Sequence, residues 1–147
     1  MFLFSCFTGL SIANLLSLTY KQIENDTVKF FREKTKTWQY EPLSKTALAL
    51  IGDTANCPPD TKVFTTLDYR QCRYRLQKWG KQAGSQKKLN FHLGRHTFAT
   101  LSLTQGVDVF TVQKLIGHKK LATTQIYAKV IETVKRKAVD ALPQLEL

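Results

Sequence analysis

The sequence predicts an α+β fold that is mainly helical and contains one small antiparallel sheet. Several segments carry apolar residues at helical spacing and end at glycine or proline, which is typical of amphipathic helices. One segment, residues 27–42, has the pattern of two short strands joined by a turn. The 147 residues fit a single domain, 1–147, that is long enough to bury a substantial core.

Residues 1–20 contain no charged side chain. The first cation is Lys21, whereas a secretory signal requires positive charge before its apolar run. Polar residues also interrupt the run, so a membrane span is poorly supported and no membrane partner is expected. We interpret the segment as buried core, with one helix over Phe2–Phe7 that ends at Gly9 and a second over Ser11–Leu18.

A hairpin and a capped helix follow. The alternating pattern predicts strands over Thr27–Lys34 and Trp38–Pro42. Ser44 is placed to cap a helix over Lys45–Ile51, because its hydroxyl can accept a hydrogen bond from a backbone N–H of the first turn. The residues of this helix that are predicted to face the core are Ala47, Leu48, Leu50 and Ile51.

A basic helix is predicted over Leu67–Gln82, after a loop over Gly52–Thr66. Two interpretations of this helix stay open. It is either a surface that binds nucleic acid or a solvated charged face over a packed aromatic stripe. A last helix is predicted over Val130–Leu142. The aromatic residues of the basic helix are Tyr69, Tyr74 and Trp79.

The formal net charge is +11, and the basic residues are spread along the chain. This balance favours a polyanionic partner, nucleic acid first and an acidic membrane second, although a merely soluble basic protein stays open. The three cysteines form no C-x-x-C pair. We therefore expect a reducing, cytoplasmic location.

The stretch 90–127 contains all three histidines of the chain. His92, Arg95 and His96 are spaced i, i+3 and i+4, so on a helix they share one face. Asn90 is placed to cap that helix, and Gly117 to end the next one in the left-handed conformation.

Zinc binding is the first alternative for these histidines. A helical His92–His96 pair with His118 as a third ligand has the residue types for it. However, the glutamate of the H-E-x-x-H motif is missing, and Arg95 would put a cation beside the metal. The sequence therefore predicts no metal site.

Phosphoryl transfer on a diester suits these residues better. An arginine and two imidazoles can donate hydrogen bonds to the non-bridging oxygens of a phosphate, whose charge grows in the transition state. A tyrosine hydroxyl such as that of Tyr127 can act as the nucleophile and keep the bond energy in a phosphotyrosine. One tyrosine among five is, by itself, more often a packing residue.

Three motifs in this stretch resemble the signature of the tyrosine recombinases, the phage-type integrases. They are H-x-x-R-H-T-F-A-T, L-x-G-H and T-T-Q-I-Y, in the family's order and spacing. The resemblance implies a fold like that of the DNA breaking-rejoining enzymes and a 3′-phosphotyrosyl intermediate, with no metal or nucleotide cofactor. By resemblance, the phosphate ligands are His92, Arg95 and His118, and the nucleophile is Tyr127. His96 is the less certain member of the site.

The F-T-G-L motif, residues 7–10, resembles the first conserved motif (box) of the family, in which an arginine follows the leucine. Here Ser11 stands in that place, and Asn14 in that of the usual acidic residue. The resemblance also implies that Lys34, in the hairpin, is the general acid. We hypothesise that Arg32, two residues before Lys34 and on the same strand face, replaces the missing phosphate clamp. The alternative is a surface arginine paired with Glu24 or Asp26.

The resemblance further implies that the partners are double-stranded DNA, other recombinase protomers assembled on it, and DNA-bending accessory factors. It covers only the catalytic half of such a protein, so we expect that an N-terminal core-binding domain and the start of the catalytic domain are missing. The alternatives are an inactive DNA-binding remnant and a type IB topoisomerase-like activity. The residues expected to contact DNA are Arg73, Lys87, Lys88, Lys119 and Lys120.

Overall fold

The computed structural model describes residues 1–32, 36–54, 56–65, 68–117 and 128–141. These residues form a mainly helical α+β structure with a three-stranded antiparallel sheet, so the predicted fold class is confirmed. The chain divides into two compact units, Met1–Phe98 and Ala99–Leu147. The elements in chain order are α1 (Phe2–Thr8), α2 (Ile12–Ser17), a 3-10 turn (Tyr20–Gln22), β1 (Ile23–Glu24), β2 (Thr27–Arg32), β3 (Thr37–Pro42), α3 (Lys45–Ile51), α4 (Tyr69–Gln82), α5 (Phe91–Thr104), α6 (Val109–Ile116) and α7 (Ala128–Asp140).

The uncharged N-terminal segment forms α1 and α2 and lies in the core of the first unit. Phe4, Leu15 and Leu18 are fully buried there. The predicted break between the two helices is confirmed, because Gly9 ends α1 in the left-handed conformation, with φ 68°. No helix in the described part of the chain is both long and apolar enough to cross a membrane.

The sheet has the strand order β1-β2-β3. Sequence reasoning predicted β2 and β3 but missed β1, which pairs Ile23 with Val28 across a tight turn. The turn residues Asn25 and Asp26 both have positive φ, 48° and 55°, as the hairpin turns that match strand twist require. Along β2, buried and exposed residues alternate, so one face of the sheet covers the core and the other faces outward.

The helix α3 begins at its predicted cap, since the backbone N–H of Ala47 donates to Ser44 Oγ at 3.2 Å. Ala47 is fully buried, and Leu48 and Ile51 pack against the core. The prediction that Leu50 faces the core is wrong, because this side chain is exposed.

The helix α4 begins later than predicted because Asp68 caps it in a capping box with Gln71. The interpretation of a packed aromatic stripe is also wrong. Its three aromatic residues are exposed, and the buried face of α4 is a different row at i, i+4 and i+8 spacing. The exposed aromatic residues are Tyr69, Tyr74 and Trp79, and the buried row is Cys72, Leu76 and Gly80.

The second unit contains α6 and α7. Asp108 caps α6 by accepting hydrogen bonds from the backbone N–H groups of Phe110 and Thr111 at 2.9 and 3.0 Å. The predicted end of this helix is confirmed, because Gly117 has φ 62° in the left-handed region. The last helix, predicted over Val130–Leu142, spans Ala128–Asp140 among the described residues.

Candidate functional site

The helix α5 carries the three polar residues that the sequence predicted to share a face. Its N-terminus is capped as predicted, because Asn90 Oδ1 accepts a hydrogen bond of 2.9 Å from the backbone N–H of Leu93. The side chain of His92 is exposed, whereas Arg95 and His96 are half-buried. Side-chain exposure on this face therefore decreases from His92 to Arg95.

The turn after α1 fixes the orientation of Arg95. The guanidinium Nη1 of Arg95 donates a hydrogen bond of 2.6 Å to the carbonyl oxygen of Gly9. A side chain at Gly9 would not fit, since its Cβ would lie 2.7 Å from Cδ1 of Phe98, one turn further along α5. The F-T-G-L motif thus has a structural role here. Its glycine leaves space for the Phe98 ring, and its carbonyl oxygen accepts the hydrogen bond from Arg95.

A second close contact joins α1 to α5. A Cβ on Gly94 would lie 2.9 Å from Ser5 Oγ, so any larger residue would require Ser5 to shift. Ser5 is fully buried, and its hydroxyl donates a hydrogen bond of 2.8 Å to the carbonyl oxygen of Leu10. Sequence reasoning did not find Ser5 or Gly94 as positioning residues. A small residue beside the arginine, within an apolar helix, was the available signal.

The two histidines of α5 contact each other. Their ring centroids are 4.3 Å apart and the ring planes are nearly perpendicular, at 86°. Burial lowers the pKa of His96, and the positive charges of His92 and Arg95 lower it further. The neutral form of His96 is therefore favoured, while His92 presents its ring to solvent. The arrangement offers donors from Arg95 and His92 to an anion.

Ser11 caps the helix α2. Its hydroxyl accepts a hydrogen bond of 3.3 Å from the backbone N–H of Asn14 and donates another to Asn14 Oδ1. Ser11 and Asn14 thus satisfy each other as an uncharged pair. Ser11 provides no cation to the face that Arg95 occupies.

Arg32 lies at the end of β2, on the face of the sheet that covers the core. It interacts electrostatically with Glu41 of β3, which is only 8% exposed, and its guanidinium lies 5.7 Å from the ring centre of Phe30. Burial lowers the pKa of Arg32 and Glu41 opposes that shift. The expected surface partners Glu24 and Asp26 lie at the other end of β2, where Glu24 pairs with Thr27.

Glu41 was not recognised from the sequence. Burial raises its pKa to about 7, and the charge of Arg32 opposes the increase. Its place in an alternating strand, two residues after Gln39 on the inner face, was the signal that could have found it.

The predicted DNA-contacting residues of the first unit line two clefts. Arg73 and Lys88 line a cleft of about 370 Å³ together with Asn90, the cap of α5. Lys87 and Lys88 line a second cleft of about 330 Å³. Gln77 and Lys81 follow Arg73 at i+4 and i+8 on the same face of α4 and also line these clefts. Lys81 is one of the basic residues of the predicted helix, whereas Gln77 was not found from the sequence.

Five of the predicted site residues lie outside the described part of the chain. Their roles stay predictions. Within the described ranges, no group of three or more His, Cys, Asp or Glu side chains is arranged to hold a metal ion. The five residues are Lys34, His118, Lys119, Lys120 and Tyr127.

This sequence and its fold are similar to those of known proteins. Residues 1–133 match the model of the phage integrase family. The chain is 36% identical over 127 residues to the tyrosine recombinase XerA of Saccharolobus solfataricus, which covers 84% of this chain and 43% of that protein. A crystal structure of XerA recombinase superposes with a TM-score of 0.72 at 25% identity, over 95% of this chain and 56% of that one.

A further solved structure, the XerH site-specific recombinase bound to its difH substrate, shares the fold with a TM-score of 0.68 at 22% identity. It covers 98% of this chain and 46% of that chain. The chain spans about half the length of the curated relatives that it matches. Because the family model matches most of the sequence, the predicted resemblance is confirmed. The chain belongs to the phage integrase family.

Proposed function

We propose that this chain is the catalytic part of a site-specific DNA recombinase. The observation that carries the proposal is the position of Arg95 and His92 on one face of α5, with the guanidinium held by the carbonyl oxygen of Gly9. Two basic clefts lie beside the start of that helix. Membership of the phage integrase family supports the same reaction.

In the proposed reaction, the hydroxyl oxygen of Tyr127 attacks the phosphorus of one DNA strand, and its proton passes to water. The bond to the 5′ oxygen breaks, a 3′-phosphotyrosyl link forms, and Lys34 supplies the proton that the 5′-hydroxyl gains. Arg95, His92 and His118 donate hydrogen bonds to the non-bridging oxygens, whose negative charge grows in the transition state. A 5′-hydroxyl of a partner strand then reverses these steps and restores Tyr127. The phosphotyrosine stores the bond energy, so the reaction uses no nucleotide or metal.

His96 acts behind His92 in this proposal. Its ring packs edge-on against the His92 ring, which limits the rotation of that side chain. Because burial favours the uncharged form, His96 adds little charge to the phosphate. We assign it a positioning role.

Arg32 is the proposed second phosphate clamp. It is the strand residue nearest to the predicted position of Lys34 on the same face, and Ser11 supplies no charge. The negative charge of Glu41 attracts the guanidinium, so an ionised Glu41 would compete with phosphate for Arg32. An uncharged Glu41 would leave the full charge of Arg32 to a phosphate.

Double-stranded DNA is the proposed partner. Arg73, Lys87 and Lys88 bind backbone phosphates from the two clefts, and Gln77 and Lys81 extend that surface. Lys119 and Lys120 contribute further contacts. We further propose that the protein assembles with other protomers on DNA, that DNA-bending accessory factors assist it, and that it is located in the cytoplasm.

The decisive experiment traps the covalent intermediate. In a nicked substrate, the short segment that carries the new 5′-hydroxyl dissociates after cleavage, so the phosphotyrosyl link cannot be resealed and accumulates. We expect an adduct with the unmodified protein and none with Tyr127→Phe. The matched control is Tyr74→Phe, which removes a hydroxyl from the exposed face of α4 and should leave the adduct unchanged.

Two outcomes would redirect the assignment. An adduct that persists in Tyr127→Phe would identify another nucleophile. The absence of any adduct, with DNA binding retained, would mean that the chain is an inactive DNA-binding remnant. Where an adduct forms, exchange between two sites identifies a recombinase, whereas relaxation of a single supercoiled circle identifies a topoisomerase-like enzyme.

A further inference from the structure

The outward face of the sheet carries a cluster of aromatic side chains beside one lysine. Four residues form this cluster, in two directly paired positions of β2 and β3: Phe31 opposite Trp38, and Lys29 opposite Tyr40. They alternate with the inner-face residues that cover the core, so all four point away from it. We call this cluster the outer aromatic face.

The rings of the outer aromatic face are accessible. Phe31 is 37% exposed, Trp38 54% and Tyr40 61%. Phe31 and Trp38 pack edge to face with their centroids 5.5 Å apart, which holds the indole in place. The ammonium of Lys29 lies 4.9 Å from the ring centre of Trp38 and 5.5 Å from that of Tyr40. At the far end of the sheet, Glu24 stands opposite Thr27.

Charge and ring chemistry together narrow the ligand. Exposed apolar patches on a soluble domain commonly mark a binding surface. The chain carries a net charge of +11, and among the described residues the charged side chain that contacts these rings is Lys29. An anionic ligand is therefore favoured over an uncharged apolar partner. Ordered rings with an adjacent cation are the combination that binds nucleotides, by stacking on the bases and pairing with the phosphate.

The face suits unpaired rather than paired nucleotides. In a duplex both faces of each base are covered by its neighbours, so only an unpaired base can stack on a side chain. Trp38 and Tyr40 are two residues apart on one strand, about 7 Å by the usual strand rise, which two successive bases of an extended strand can span. The flexible stem of Lys29 lets its ammonium leave the rings and reach the phosphate between those bases.

We propose that the outer aromatic face binds an unpaired segment of a DNA strand, with bases stacked on Trp38 and Tyr40 and a phosphate paired with Lys29. The inference rests on the proposed function in one respect: strand exchange separates a strand from its complement. The face would hold that strand away from the inner face of the sheet, where Arg32 lies.

Fluorescence measures this binding directly. The chain contains two tryptophans, so Trp79→Phe makes Trp38 the only indole. A short oligothymidylate is titrated into this variant at low salt. We expect saturable quenching of Trp38 emission, and little quenching by a duplex of the same length, because its bases are not free to stack.

Matched variants separate stacking from folding. Trp38→Ala and Tyr40→Ala should each weaken binding of the oligothymidylate by about tenfold. Trp38→Phe should recover part of the loss because it keeps a ring. Tyr74→Ala removes an equally exposed tyrosine from α4 and should change nothing. Thermal unfolding of every variant confirms that exposed substitutions leave the fold intact.

Three results would overturn the proposal. One is an affinity for the oligothymidylate that neither Trp38→Ala nor Tyr40→Ala changes. Another is equal quenching by duplex and single strand. The third is self-association that Trp38→Ala abolishes without altering oligothymidylate binding, since the face would then be a protein interface. The binding assay uses oligothymidylate and requires no cleavage, whereas the adduct assay uses a nicked substrate. A failure of this proposal can therefore be distinguished from a failure of the recombinase assignment.

Discussion

Nη1 of Arg95 donates a hydrogen bond of 2.6 Å to the carbonyl oxygen of Gly9. That carbonyl belongs to the left-handed residue that ends α1, so the geometry of a turn sets the orientation of a guanidinium. A planar guanidinium held by one donor keeps its other donors in a fixed fork. The cap of one helix thereby orients the candidate phosphate ligand of another.

The first prediction concerns Gly9→Ala. Alanine at a left-handed position costs about 1–2 kcal/mol, and its Cβ would lie 2.7 Å from Phe98. Overpacking of this kind adds about 1–3 kcal/mol. The control is Gly84→Ala, which has almost the same φ, 69°, but no neighbour within 4 Å of the added Cβ. Urea unfolding should show a clearly larger loss for Gly9→Ala; equal losses would mean that Phe98 moves aside freely.

The second prediction is that the free energy of unfolding decreases as the pH rises, because Glu41 loses its proton. Its pKa is raised by burial from 4.5 to about 7, so between these values the folded state binds more protons than the unfolded state. The contribution is fully present below pH 4.5 and lost as the pH rises through 7. The free energy of unfolding should drop by about 2–3 kcal/mol over that window. Glu41→Gln should remove this dependence, whereas Glu24→Gln, at an exposed position, should keep it.

The third prediction concerns the contact between His92 and His96. The charge of His92 is one of the causes that lower the pKa of His96, after burial. Replacing His92 by phenylalanine keeps a ring but removes that charge, so the pKa of His96 should rise towards its ordinary value. An NMR titration of the His96 ring measures this directly. A lower or unchanged value would show that the two rings do not interact electrostatically in solution.

The fourth prediction is a steep salt dependence of DNA binding. Each neutralised phosphate contributes about −0.9 to the slope of log K against log salt. Arg73→Ala and Lys88→Ala, in the shared cleft, should each make the slope less negative by roughly that amount. Lys45→Ala, on α3, is the control and should leave the slope as it was. Slopes that are identical in all variants would place the phosphate contacts elsewhere.

The fifth prediction tests Arg32 as a clamp. If it binds the phosphate, Arg32→Ala should slow adduct formation by about 10²–10³-fold, as for the loss of one transition-state donor, and Ser11→Arg should restore part of it. Because Ser11 caps α2, its replacement also costs about 1 kcal/mol of stability. Ser11→Ala measures that cost alone. Cleavage by Arg32→Ala at the unmodified rate would leave Arg32 with a structural role beside Glu41.

Local chemistry explains which elements could be predicted. Ser44, Asn90 and Gly117 sit where cap residues are needed, and each caps or ends a helix as expected. Strand β1 was missed because two residues are too short to show a period. The signal was instead in the Asn25–Asp26 pair, whose residue types tolerate positive φ.

The site was less predictable than the fold because it depends on contacts between distant parts of the chain. Spacing alone placed His92, Arg95 and His96 on one face, since that is a property of one helix. The acceptor that holds Arg95 and the burial of Glu41 are set by tertiary packing. The exposure of the aromatic residues on α4 was mispredicted for a related reason: the helix has two apolar rows, and packing against Leu89 selects the one that contains Gly80.

The bond from Arg95 to Gly9 also bears on when the candidate centre forms during synthesis. It joins positions 86 residues apart, so the turn at Gly9 emerges from the ribosome long before the arginine that it orients. At ordinary rates of elongation, about 5–20 residues per second, that interval lasts several seconds. Until α5 is made, the buried hydroxyl of Ser5 has no helix packed beside it. We expect the nascent helices α1 and α2 to be clients of general chaperones in that interval, and the candidate centre to be assembled only after translation has passed α5.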